Sequence, residues 1–239
     1  GWRAVFWFLS ALGLVLTLFV AIWLPESLSK AHRQSLHLGD TLLAYSRMLS
    51  HRAFLPLALL FGVNFGGLFL YIAAAPHLIY DLLGYGVTDF WVLFIPAVSG
   101  IILGSQLSGW VAHRWSAHKS IWVAMGLTST ATLFNLLQAS FLHVHVVTAI
   151  APIALYAMGM ALAMTPISLL AMDLFPLRKG MASALQGFAQ TTSNAMIAAF
   201  MVSLLLGSLF SLSLGMLMVV GLSWLFWFAY LFVFNNTAH

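Results

Sequence analysis

Three carboxamides, Gln186, Gln190 and Asn194, follow one another at two i,i+4 steps, with Ser183, Gly187 and Ser193 among them. On a helix this spacing places them on one stripe. Such groups form hydrogen bonds without moving protons. Against lipid they are unfavourable, so the stripe faces protein or a water-filled path; interhelical hydrogen bonding and substrate lining both remain open. A second set, Asn64 with Phe65, Phe69 and Tyr71, combines one carboxamide with aromatic rings, and Asn64 and Tyr71 stand at i,i+7. That mixture suits a cavity for greasy, weakly polar molecules. Gly62-x-x-x-Gly66 in the same stretch and Gly100-x-x-x-Gly104 further on permit close helix approach and read as packing faces. Methionines at 158, 160, 164, 196 and 201 would suit a soft pocket or a core.

Other chemistry is missing from the chain. With no Cys there is no disulfide framework, thiolate nucleophile or Cys-based metal site. His143-x-His145 has no third ligand nearby, so no metal site is expected. There is no Walker loop, dinucleotide fingerprint or catalytic triad, and we expect neither an enzyme nor a cofactor.

The elements that must position these groups follow from composition. Of 239 residues, 62% are hydrophobic and 6% charged, and the mean hydropathy is +1.02. So few charges could not coat a water-soluble globule. Apolar runs of spanning length occur at Trp2–Leu24, Leu55–Tyr80, Phe90–Ala112, Ser120–Leu142, Val144–Ala171, Ala182–Leu206 and Leu209–Phe234. Because unpaired backbone groups in hydrocarbon cost several kcal/mol, these runs must be helices. Pro25 ends the first. Residues 25–53 form the longest polar stretch, which reads either as an ordinary linker with some helical turns or as a surface helix bearing Leu38, Leu42, Tyr45 and Leu49 with Asp40 placed to cap it.

The formal charge of +4 belongs to topology rather than to nucleic acid. Eight of the nine Lys and Arg residues fall in connections on one side: Lys30, Arg33, Arg47, Arg52, Arg114, Lys119, Arg178 and Lys179. Arg3, Asp81 and Asp89 fall on the other. The positive-inside rule then sets the chain start outside and the tail, residues 235–239, in the cytoplasm. No Asp, Glu, Lys or Arg lies deep in a predicted span, which argues against an intramembrane proton relay within this chain.

Particular strings add a resemblance. Gly1-Trp2-Arg3, Phe6-Trp7-Phe8 and Leu24-Pro25-Glu26-Ser27-Leu28 together resemble the sixth helix of drug-resistance transporters of the Bcr/CflA type, within the major facilitator superfamily. Tyr71-Ile72-Ala73-Ala74-Ala75-Pro76 is similar to that family's seventh helix, Gly104-Ser105-Gln106-Leu107 to its eighth, and the run from Gly180 to Gln190 to its eleventh. The resemblance implies an all-α integral membrane fold of seven transmembrane helices, the last six forming one half of a major-facilitator fold. Residues 1–24 become the last helix of a first half, 25–53 the cytoplasmic inter-half connection, and 54–234 the C-terminal half. The partners it implies are hydrophobic or cationic drugs, protons, the bilayer of a bacterial inner membrane and a missing N-terminal six-helix half. It turns Asn64, Phe65, Phe69, Tyr71, Gln186, Gln190 and Asn194 into expected substrate contacts. It makes Arg114, Asp173 and Arg178 an expected cytoplasmic gate. The superfamily's cytoplasmic signature is degenerate here, with His113 in place of Asp and Ser116 in place of Gly. A carrier of sugars or other metabolites and a non-transporting truncated fragment are the alternatives; a retinal protein is excluded because no span holds a Lys.

Overall fold

A computed structural model describes residues 1–25, 38–141 and 145–237. The turn near residue 143, His143 itself, Lys30 and Arg33 lie outside them. All regular structure among the described residues is helical. Seven helices are long and apolar enough to cross a membrane, matching the seven runs read from the sequence. The exposed Trp2, Trp23, Trp91 and Trp122 sit near their ends, as interfacial anchors do.

Residues Gly1–Leu43 form one compact unit and Ala44–His239 another. The first contains the helix Trp2–Trp23, apolar all round, with no buried residue. Its C-cap Leu24 is extended, with φ −92° and ψ 108°, as a residue ahead of Pro must be. The helix Leu38–Leu49 begins two residues before Asp40, so that Asp40 lies in the first turn rather than capping it. From Ala44 onward Ala44 and Met48 are buried and the half-buried Tyr45 packs against the core, while Leu49 stays exposed.

In the second unit the fifth span, Val146–Asp173, is central. It packs along the third span, Trp91–Val111, and along the fourth, Ala117–Phe141. The third span meets it backbone to backbone. A Cβ at Gly100 would strike the carbonyl of Ala154, and one at Gly104 the carbonyl of Met158. Only glycine permits that approach, as the Gly100-x-x-x-Gly104 spacing leads one to expect. The second span, Phe54–Ala73, lies between the sixth, Pro176–Leu205, and the seventh, Leu209–Asn236. Gly62 faces Ala189 of the sixth span so closely that a Cβ would come within 2.8 Å of its backbone. The sixth span is the least buried of these six, 11% against 61% for the fifth. Its helix Lys179–Met196 gives way to a π turn at Ile197–Val202, beside Gly66. The seventh helix continues to Thr237, taking in the first residues of the expected tail.

The core divides in two. One apolar cluster runs from Leu68 through Met160 and Ile197 to Val220; the other joins Met48, Phe54, Leu60, Leu162, Leu185 and Trp227. Along their spans the buried polar residues Asn64, Thr128, Gln186 and Ser223 fall between members of the two clusters. This polar waist follows from where single polar residues interrupt each apolar run.

Candidate functional site

Most groups at the waist are satisfied inside the bundle. Asn64 Nδ2 donates to the Met160 carbonyl at 3.1 Å, and the Tyr156 hydroxyl donates to the Asn64 carbonyl at 2.9 Å. Thr128 and Ser223 donate to carbonyls of their own helices, Met125 at 3.0 Å and Val219 at 3.0 Å. Asn64 therefore ties the second span to the fifth. Tyr71 does the same between the second and fourth spans: it is fully buried and its hydroxyl accepts from Asn135 Nδ2. Gln138 Nε2 in turn donates to Asn135 Oδ1 at 3.1 Å. Of the two uses open to Asn64 and Tyr71, packing is the one this geometry displays.

The carboxamide stripe is different. Gln186 is 1% exposed, and both Oε1 and Nε2 are buried without a hydrogen-bond partner among the described residues. Asn194 Oδ1 is likewise buried and unpartnered, while the Asn194 and Gln190 side chains are partly open. An unpaired buried polar group costs about 1–3 kcal/mol, so these are uncommitted donors and acceptors held at a cost.

Phe65 and Phe69 are half-buried, their rings 6.2 Å apart, with Phe61 one turn before them. The i,i+4 spacing gives the three rings one face. Against Phe61 lies a shallow cavity of about 290 Å³, walled by Met164, Thr165, Ser168, Leu169 and Met172 of the fifth span. Phenylalanine, adaptable methionine and two hydroxyls suit apolar molecules of variable shape. Phe61, Ser168 and Met172 stand outside the sets expected from sequence, although Phe61-Phe65-Phe69 carries the helical period. Asn135 and Gln138 also stand outside those sets; with Thr128 and Thr132 they recur at steps of three and four. A larger concavity of about 360 Å³, lined by residues such as Tyr85, Trp91, Pro96 and Val147, lies at the far end of the third and fifth spans. It touches none of the expected site residues.

The expected gate residues are not brought together. Asp173 pairs with Lys179 at 2.9 Å, both well exposed, rather than with Arg178. The Arg114 guanidinium lies over the Trp110 ring at 4.3 Å. One helical turn separates Asp173 from the short turn Pro176–Arg178, which directs Lys179 back to it. Among the described residues, no group of three or more His, Asp or Glu is placed to hold a metal ion.

Seven helices long and apolar enough to span, with no buried charge among the described residues, define a polytopic membrane protein. The family model described as Major Facilitator Superfamily matches residues 1–198, and the chain belongs to that superfamily. It is similar to the uncharacterized MFS-type transporter YdgK of Bacillus subtilis (strain 168), with 28% identity over 214 residues, 88% of this chain and 49% of that protein. The chain thus spans about half the length of the curated relative it matches.

Proposed function

We propose that this chain is the C-terminal portion of a bacterial proton-coupled multidrug exporter of the Bcr/CflA type, working by alternating access in the inner membrane. The observation that carries the proposal is the Phe61-Phe65-Phe69 face of the second span together with sixth-span carboxamides, of which Gln186 and the Asn194 oxygen are buried with no hydrogen-bond partner among the described residues. A site for sugars would need several fixed hydrogen-bonding groups at its opening; here the exposed wall is chiefly rings and thioethers. Hydrophobic or cationic drugs would lie along the wall and take hydrogen bonds from Gln190 and Asn194. Gln186 would join as the sixth span moves. No carboxylate lies deep within these spans, so proton coupling is assigned to the half that is not in this chain. The orientation is that of the positive-inside rule, with Arg47, Arg52, Arg114, Lys119, Arg178 and Lys179 in the cytoplasm.

The test is dye efflux from cells carrying the full-length protein, with and without a proton gradient. Efflux that stops on collapse of the gradient, and a substrate profile altered by Gln190→Leu with membrane insertion intact, is the expected result. Unchanged export of every compound by the variant removes Gln190 from the passage. Export indifferent to the gradient removes the antiport reading.

A further inference from the structure

His118 stands at the basic end of the bundle. It is the second residue of the helix Ala117–Phe141 and lies two residues ahead of the apolar run that begins at Ser120. Its half-buried ring packs on three rings of the last helix, Leu209–Thr237. The ring centres are 5.6 Å away at Trp227, 5.8 Å at Tyr230 and 5.2 Å at Phe234. Tyr230 lies nearly parallel to it, at 29°. Steps of three and four put 227, 230 and 234 on one face of their helix. Trp227 is fully buried and Tyr230 is 4% exposed, both within the lower apolar cluster. The imidazole therefore joins the start of the fourth span to the end of the seventh.

Three features favour the neutral form of this ring. First, His118 Nε2 is buried with no hydrogen-bond partner among the described residues. A neutral imidazole with its proton on Nδ1 leaves only a bare lone pair there, whereas a second proton would be a buried donor with nothing to receive it. Trp227 Nε1, also buried and unpartnered, can only donate. Second, the first turn of a helix carries the positive end of its dipole, which opposes a cation. Third, Lys119 follows directly and Arg114 precedes by four residues. Both cations lie over rings, Trp115 and Trp110, and neither has a carboxylate partner among the described residues.

The packed neighbours supply no offsetting anion. From the seventh helix, Tyr230 is the one titratable group. From the fifth come Tyr156, bonded to the Asn64 carbonyl, and Asp173, paired with Lys179. The surface helix adds Tyr45 to the same cluster and leaves Arg47 exposed, and His113 in the adjoining connection is exposed as well. The ring faces attract a cation; they are the one influence in the opposite direction.

We infer that His118 is an acid-released latch. Neutral, it wedges among Trp227, Tyr230 and Phe234 and holds the end of the last helix to the fourth span. Protonated at Nε2 by water, it leaves the rings and frees that end. The inference rests on ring packing and is independent of what is transported and in which direction.

The chain has no Cys, so a single spin label at Asn235→Cys, next to Phe234, reports on the end of the last helix without background. Its mobility is read by electron paramagnetic resonance in the purified protein from pH 8 to pH 5. The ratio of mobile to immobile label should climb as the pH falls, by up to about tenfold per pH unit, the slope of one proton. His118→Phe keeps a ring that takes no proton and should hold the label immobile throughout. His118→Lys, charged throughout, should leave it mobile throughout. His113→Gln should keep the wild-type profile. A flat wild-type profile overturns the inference, and so does a label that grows less mobile in acid, which would mean that the rings retain the imidazolium. The same titration in His118→Phe, or its loss in His113→Gln, moves the response to another histidine and overturns it too. The sign of the wild-type profile decides the matter even where a variant fails to fold.

Discussion

Replacing Gln186 by Leu should make the protein more stable and a poorer transporter at once. The side chain is 1% exposed with both polar atoms unpaired, so its burial costs about 1–3 kcal/mol. Leucine nearly matches its volume and leaves little cavity. Polar contacts in membrane bundles are worth less than in water-soluble cores, near ~0.6 kcal/mol on average, which favours the lower part of that range, about 1–2 kcal/mol. At about 2–4 °C per kcal/mol for a chain of this size, the midpoint of thermal unfolding in detergent without substrate should rise by about 2–8 °C. Gln186→Glu should lower it, because an unpaired buried charge is strongly destabilising. Dye efflux by the full-length Leu variant should fall. A Leu variant that melts at or below the wild-type temperature refutes the reasoning, since the carboxamide would then be satisfied where it stands. A stabilised variant with full efflux would leave Gln186 outside the passage.

Gly104→Val should drive the third span off the fifth, where its Cβ would meet the Met158 carbonyl; overpacking of this kind costs about 1–3 kcal/mol, read as faster thermal inactivation. Asn64→Leu removes the bond to the Met160 carbonyl and should cost about 0.6–2 kcal/mol in the same thermal-shift measurement, leaving the Tyr156 bond to the backbone of residue 64 in place. Asp173→Asn breaks an exposed pair with Lys179, so stability should change by less than about 1 kcal/mol; a large drop in melting temperature would contradict the exposed geometry. Cysteine-accessibility mapping should label positions 52 and 178 from the same side of the membrane, and labelling from opposite sides would overturn the topology.

Apolar run length made every span legible, because a helix is the one continuous structure that satisfies its own backbone in hydrocarbon. Ends were less so. The helix of the sixth span starts at Lys179 rather than Ala182, since long basic side chains can occupy a terminal turn at the membrane surface. In the surface helix, of the stripe Leu38, Leu42, Tyr45 and Leu49, Tyr45 packs on the core beside the buried Ala44 and Met48, while Leu42 and Leu49 stay exposed; only the position of the neighbouring helices decides which face is covered. The same limit applied to the polar groups. The periodicity of Gln186, Gln190 and Asn194 is visible in the sequence, as is that of Asn64 and Tyr71. Which set is satisfied is not, because the partners of Asn64 and Tyr71, at Met160 and Asn135, lie far along the chain. Asp173 could be matched to a nearby base from sequence, but the choice of Lys179 over Arg178 depends on the turn at Pro176.

The glycine seam at residues 100 and 104 has a mechanical consequence. Where two backbones touch without intervening side chains, there is no soft layer to shear, so the third and fifth spans behave as a single plank. Deformation has to be absorbed elsewhere, and the sixth span past its own backbone contact with Gly62, where the coil widens at Ile197–Val202, is the compliant member. A rigid stave beside a pliable one gives this protein an inbuilt direction of bending.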